Sequence, residues 1–134
     1  MTIEEALYAE LAGYTNLTDL VSTRIYPMRL PENATLPGVV YYRMSAGREN
    51  DFSGATGLAR PTFRVQVWAD DYKESHTVAT QVRKALDGNT SQWGGGSGVW
   101  ASGRLTNDVD LMDPDLETPA YGVAMDFEVW HQEA

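Results

Sequence analysis

The stretch YGVAMDFEVWH, residues 121–131, alternates along its whole length. Tyr121, Val123, Met125, Phe127 and Val129 share one parity; Gly122, Ala124, Asp126, Glu128 and Trp130 share the other. A period of two sustained this long predicts a half-buried β-strand. Two residues at its end complicate the pattern. Trp130 stands on the polar parity, and His131 continues the apolar one where the strand comes to the surface.

Other segments repeat the alternation. In PTFRVQVWA, residues 61–69, Phe63, Val65, Val67 and Ala69 oppose Arg64, Gln66 and Trp68. Further on, Val99, Ala101 and Leu105 oppose Trp100, Ser102 and Arg104. VVYYRM, residues 39–44, is apolar on both parities, as expected of a strand covered on both faces.

Helical signals stand between the strands. Thr2 and Glu5 have capping-box spacing ahead of a stripe of Ile3, Leu7 and Leu11, which Gly13 ends. Asp71 and Glu74 repeat that spacing before Tyr72, Ala79, Val82 and Leu86, with Gly88 as the stop. Leu17 to Val21 reads as a further turn or two, and Ile25 with Tyr26 as a brief extended piece inside a proline-punctuated connector. Gly47 to Arg60 reads as a long polar loop or a loose hairpin tip, and loops of that length are usually functional or mobile. WGGGSG, residues 93–98, reads as a flexible connector, and NDVDLMDPDLETP, residues 107–119, as an acidic loop. The order predicts an α+β fold: a mostly antiparallel sheet of four to five strands with two helices packed on one face. At 134 residues it is expected to form one domain spanning residues 1–134.

Composition narrows the chemistry. With no cysteine there is no disulfide, thiol catalysis or Cys-containing metal site. The net charge of −9 argues against a phosphate-gripping groove, so no specific nucleic-acid binding is expected. The acidic, amphipathic N-terminus lacks the basic and apolar regions of a secretion signal, and no apolar run approaches the roughly 20 residues that span a bilayer.

Each chemical candidate has a plainer reading. GGGSG follows a helix and precedes a strand, the reverse of a phosphate loop, and Val99 stands where a nucleophile elbow needs its last glycine. Asp108, Asp110, Asp113, Asp115 and Glu117 are dense enough to suggest calcium. The EF-hand register fails, however, with Asp113 at its glycine position and Pro119 at its last ligand. His76 neighbours Ser75 on a helix, where adjacent side chains point apart. His131 reads as a cap on the edge of the core. No cofactor, metal or catalytic residue is expected, and the chain is not expected to be an enzyme.

The tryptophans carry a positive signal. Trp68, Trp100 and Trp130 all lie on the parity opposite the core, with Arg64, Gln66, Ser102, Arg104, Asp126 and Glu128. Trp and Arg among mixed charges is the composition of a protein–protein contact. The competing reading has a loop of the same chain covering the rings, with Arg–carboxylate pairs as ordinary cross-strand neighbours. Candidate interface residues are therefore Arg64, Trp68, Trp100, Arg104, Asp126, Glu128 and Trp130. A candidate mobile contact loop carries Arg48, Asp51, Phe52 and Arg60.

The segments Arg24-Ile25-Tyr26-Pro27, Leu36-Pro37, Val67-Trp68-Ala69, Asp126-Phe127 and Trp130-His131, in this order and spacing, resemble a family of small tailed-phage proteins. These are the tail-completion or tail-terminator proteins, with relatives in prophages and gene transfer agents. The resemblance runs from the first helix to His131; the glycine tract and the acidic loop are local elaborations. It implies an α+β subunit with no catalytic residues. Six copies would close into a ring on the last ring of the tail tube, ending its growth and offering a docking surface to head-side connector proteins. The implied location is the head-proximal end of the virion tail, after assembly in the host cytoplasm, with no membrane partner. Other classes that fit the residues are another neck component, such as a head–tail connector protein, and a small-molecule-binding α+β domain.

Overall fold

The computed structural model describes residues 1–51, 54–113 and 120–132, with backbone only at 49–51 and 54–56. Its elements run α1 (Ile3–Ala12), α2 (Thr15–Val21), β1 (Ile25–Pro27), β2 (Gly38–Ser45), β3 (Arg48–Asp51), β4 (Gly54–Ala59), β5 (Thr62–Ala69), α3 (Tyr72–Leu86), β6 (Thr90–Trp93), β7 (Val99–Asp113) and β8 (Ala120–Gln132).

Both helix starts are built as their sequences indicate. The Thr2 hydroxyl accepts the Glu5 N–H at 3.2 Å, and the Glu5 carboxylate accepts the Thr2 N–H at 3.1 Å. The Thr2 hydroxyl also donates to that carboxylate at 3.0 Å, and its two bonds from Thr2 hold the Glu5 carboxyl below its ordinary value. Asp71 accepts the Glu74 N–H at 2.7 Å, capping α3. Asp87 then ends that helix, and Gly88 turns the chain with φ of +75°.

β8 is the central strand. β5 pairs with it from Thr62 opposite Glu128 to Ala69 opposite Tyr121, and β4 continues along the same flank at Leu58 and Ala59. β7 takes the other flank from Ala101 to Asp113. β2 lies beyond β5, and β1 beyond β2 in the one parallel pairing among the described residues. β6 pairs with the start of β7. The sheet is thus mixed and eight-stranded, not four- to five-stranded.

Two segments supply the extra strands, and a third lengthens a strand already expected. Residues 48–51 and 54–59 pair as β3 and β4, because β2 and β5 continue past a bend instead of stopping. At that bend Gly47 takes φ of +58° and its carbonyl accepts the Arg60 N–H at 2.9 Å; a side chain on Gly47 would strike the Arg60 backbone. Residues 107–113, expected as acidic loop, are strand: they pair with β8 from Asn107 opposite Asp126 to Asp113 opposite Ala120. Backbone pairing to a buried neighbour outweighs the poor strand preference of Asp and Asn. Finally, Thr90–Trp93 is a short strand, and the glycine tract after it is a tight connector. Its 3-10 turn, Gly95–Ser97, is closed by the Gly98 N–H on the Gly95 carbonyl, and Glu10 accepts the Gly94 N–H at 3.1 Å.

Three helices, not two, cover one face of the sheet. Ile3, Leu7 and Leu11 of α1, Leu17 and Val21 of α2, and Val78, Val82 and Leu86 of α3 meet Phe63, Val65, Val67, Val123, Met125, Phe127 and Val129 in one cluster. Trp93, read from sequence as part of a flexible tract, is wholly buried in it. His131 is 8% exposed at the margin of this core, consistent with a cap. β2 is covered on both faces only at Val39 and Val40; Arg43 and Met44 emerge into solvent. No helix among the described residues is long and apolar enough to cross a membrane.

Candidate functional site

The face away from the helices is the candidate site, and strand register sets its layout. Gly38 of β2, Trp68 of β5, Gly122 of β8 and Leu111 of β7 form one cross-strand row. Tyr42, Arg64, Asp126 and Asn107 form a second row, and Thr62, Glu128 and Arg104 a third. Trp130 sits opposite Ser102, with Trp100 two residues along the same strand face.

The three outward tryptophans therefore do not make one patch. Trp68 lies near one end of β8, and Trp100 with Trp130 near the other. Trp68 is half-buried: its ring lies over Gly122, its indole N–H reaches Gln66 Oε1 at 3.3 Å, and it borders a pocket under the connector residues Met28 to Leu36. That connector also covers Val40, which is 1% exposed on the same face. Trp100 is 67% exposed and Trp130 37%. The Arg60 guanidinium stands 5.0 Å from the Trp130 ring centroid, close enough for a cation–π contact.

Between these ends runs a charged belt. Arg64 grips Asp126 with two bonds, Nε to Oδ1 at 2.8 Å and Nη2 to Oδ2 at 3.2 Å. That fork, helped by Tyr42, pushes the guanidinium pKa further up. Both side chains are mostly covered, so the pair acts as a fixed cross-strand clasp. Exposed Arg104 faces half-buried Glu128 across the β7–β8 pair.

The remaining expected contact residues sit on or beside the β3–β4 hairpin. Arg48 pairs with Ala59 at its base, and Arg60 lies just beyond β4. Asp51 pairs with Gly54 through the backbone, its side chain lying outside the described atoms, and Phe52 lies outside the described residues.

Sequence reasoning missed a polar cluster on the helix side of β7. The Tyr72 hydroxyl donates to Asp110 Oδ2 at 2.7 Å, and His76 Nε2 contacts Asp110 Oδ1 at 2.8 Å. The two rings are 4.6 Å apart. The hydroxyl bond, and then His76, hold the Asp110 carboxyl below its ordinary value, and the same bond to Asp110 raises the Tyr72 phenol. The four-residue spacing of Tyr72 and His76 put them on one helix face, but their partner was legible only once residues 107–113 were strand. Ser75 turns away, its hydroxyl donating to the Tyr72 carbonyl, so it and His76 do not meet. No group of three or more His, Asp or Glu side chains among the described residues could hold a metal ion. Asp115 and Glu117 lie outside them.

No curated protein matches the chain. A solved structure described as the virion of a native gene transfer agent particle matches it with a TM-score of 0.75 at 19% identity. The likeness covers 97% of this chain and 94% of that one, and at such identity it is a likeness of fold. The sequence itself matches the family model described as "Tail completion protein gp17" over residues 5–132, and the chain belongs to that tail-completion family.

Proposed function

We propose that this protein is the tail terminator of its particle. Six copies close into a ring that seats on the last ring of the tail tube, stops its polymerisation and presents a docking surface to the head-side connector. The observation that carries this reading is the exposed aromatic end of the outer face. Trp100 and Trp130 leave large apolar area in solvent, with Arg60 stacked on one of them and Arg104 and Glu128 alongside. Tryptophan and arginine so placed are the residue types that dominate contact energies between proteins.

The candidate interface therefore comprises Trp100, Trp130, Arg104 and Glu128 as direct contacts, with the Arg64–Asp126 clasp beside them on the same face. Trp68 belongs to it at the rim, since its own chain covers part of the ring. Head-to-tail contacts between unlike patches close into rings when the rotation allows. A net charge of −9 suits a channel that passes DNA without holding it. The protein works by binding alone, without cofactor or catalysis.

Two measurements test this reading. Sedimentation of the purified protein, alone and with its cognate tube protein, is expected to show a sixfold assembly. Labelled protein in intact particles is expected at the head-proximal end of the tail. A strictly monomeric protein in both mixtures, or label at the distal tip, overturns it.

A further inference from the structure

Among the edges of the sheet, those at β1 and at β7 are finished differently. At the first, β1 is three residues long and closes with Pro27, which has no N–H to offer. A short edge strand ending in proline is blunted against further pairing. At the second, β6 covers β7 only from Val99 to Ser102. The Gly88 N–H and the Asn89 carbonyl extend that cover to Gly103, and Asp87 accepts the Leu105 N–H at 2.9 Å. Past that point no strand among the described residues flanks β7 on the side away from β8.

Alternation fixes which groups face that gap. Gly103 directs both its backbone groups toward the β6 side, and Leu105 directs its N–H there as well. The extra residue at Thr106 then shifts the register, so that Asn107 rather than Thr106 pairs with Asp126. The outward set accordingly moves to Asp108, Asp110 and Met112, while Val109 and Leu111 bond inward to β8. Three residues at two-residue spacing thus offer N–H and C=O groups to an incoming strand.

Side chains select the occupant. Asp108 and Asp110 project on the helix side of the sheet; Val109, 44% exposed, and Leu111 project on the outer side. A second copy pairing antiparallel through this same edge would set aspartates directly against aspartates, which is destabilising. We propose that Asp108 to Met112 is a strand-addition site for an extended segment of another protein. That segment carries Lys or Arg opposite Asp108 and Asp110 and apolar residues opposite Val109 and Leu111. The site lies apart from the aromatic end of the outer face, so the proposal stands whether or not copies close into a ring.

The probe is an eight-residue peptide of alternating lysine and valine, followed by amide exchange in the isotope-labelled full chain. Its binding is expected to slow exchange at Asp108, Asp110 and Met112 and to leave Val109 and Leu111 unchanged. A version N-methylated on the strand-facing residues keeps the charge but cannot pair, and is expected to give no protection. Alternating glutamate and valine is expected not to bind. Asp108→Asn is expected to weaken the lysine peptide about two- to fivefold, the scale of one cross-strand ion pair. Equal binding by the N-methylated peptide reduces the effect to bulk charge and overturns the proposal. So does protection of these amides in the free chain that grows with its concentration, which assigns the edge to a second copy.

Discussion

Trp130 and His131 are neighbours on one strand with opposite fates. Trp130 faces outward beneath Arg60, and His131 closes the margin of the core. Parity alone made that division legible, because successive strand residues must point to opposite faces. Replacing Trp100 or Trp130 with Ala is expected to weaken assembly by about 2 kcal/mol or more, the scale of a hot-spot aromatic. Monomer melting is expected to move little, since neither ring lies in the core; sedimentation and calorimetry on the same samples separate the two effects. The Asp110 cluster gives a pH prediction. Its carboxyl titrates lower in the folded protein than in the unfolded chain. Its stabilising contribution is therefore present above the ordinary carboxylate pKa of about 4 and is lost as pH falls through the depressed folded value. Asp110→Asn is expected to flatten the acid limb of a stability–pH curve while preserving its shape near neutrality. Parallel acid limbs would contradict this. Trp93 was not legible, because the glycines after it read as a flexible tract and hid its place in the core.

Among the elements, capped helices and alternating strands were the easiest to read, since each signal is local. α1, α3, β5 and β8 all lie where their patterns put them. The second half of β7 was hidden because its acidic residues mimic a solvated turn, and only pairing to β8 reveals the strand. The same holds for β3, wholly polar, and β4, mostly glycine and alanine, neither of which alternates. The close packing of β5 on β8 is itself testable. A methyl group on Gly122 would press on the Val67 carbonyl and the Trp68 ring. Gly122→Ala is expected to destabilise the fold by roughly 1–3 kcal/mol, as overpacking does, read as a drop in the denaturant midpoint. Amides of β3 and β4 outside the Leu58–Ala59 pairing are expected to exchange fast in the free subunit and slowly in the particle, where neighbours cover them. Equal exchange in both states would remove the hairpin from the contact surface.

For the whole molecule, the division of labour is between the two faces of one sheet. Three helices bury one face and complete a core. The other keeps tryptophans, arginines and carboxylates in strand-defined rows, and its aromatic end is open. A tube of stacked rings grows because the top of each ring recreates the surface that the next one binds. A terminator must match that surface below and fail to recreate it above. A ring also binds as one body, so modest contacts per subunit multiply. The proposed role rests on the family to which the chain belongs and on the face that stays open. The most direct measurement mixes the purified protein with its cognate tail-tube protein and follows tube length by electron microscopy. Arrested growth, with added density at one end of each tube, is the expected result. Unrestrained elongation with bare ends would contradict the account.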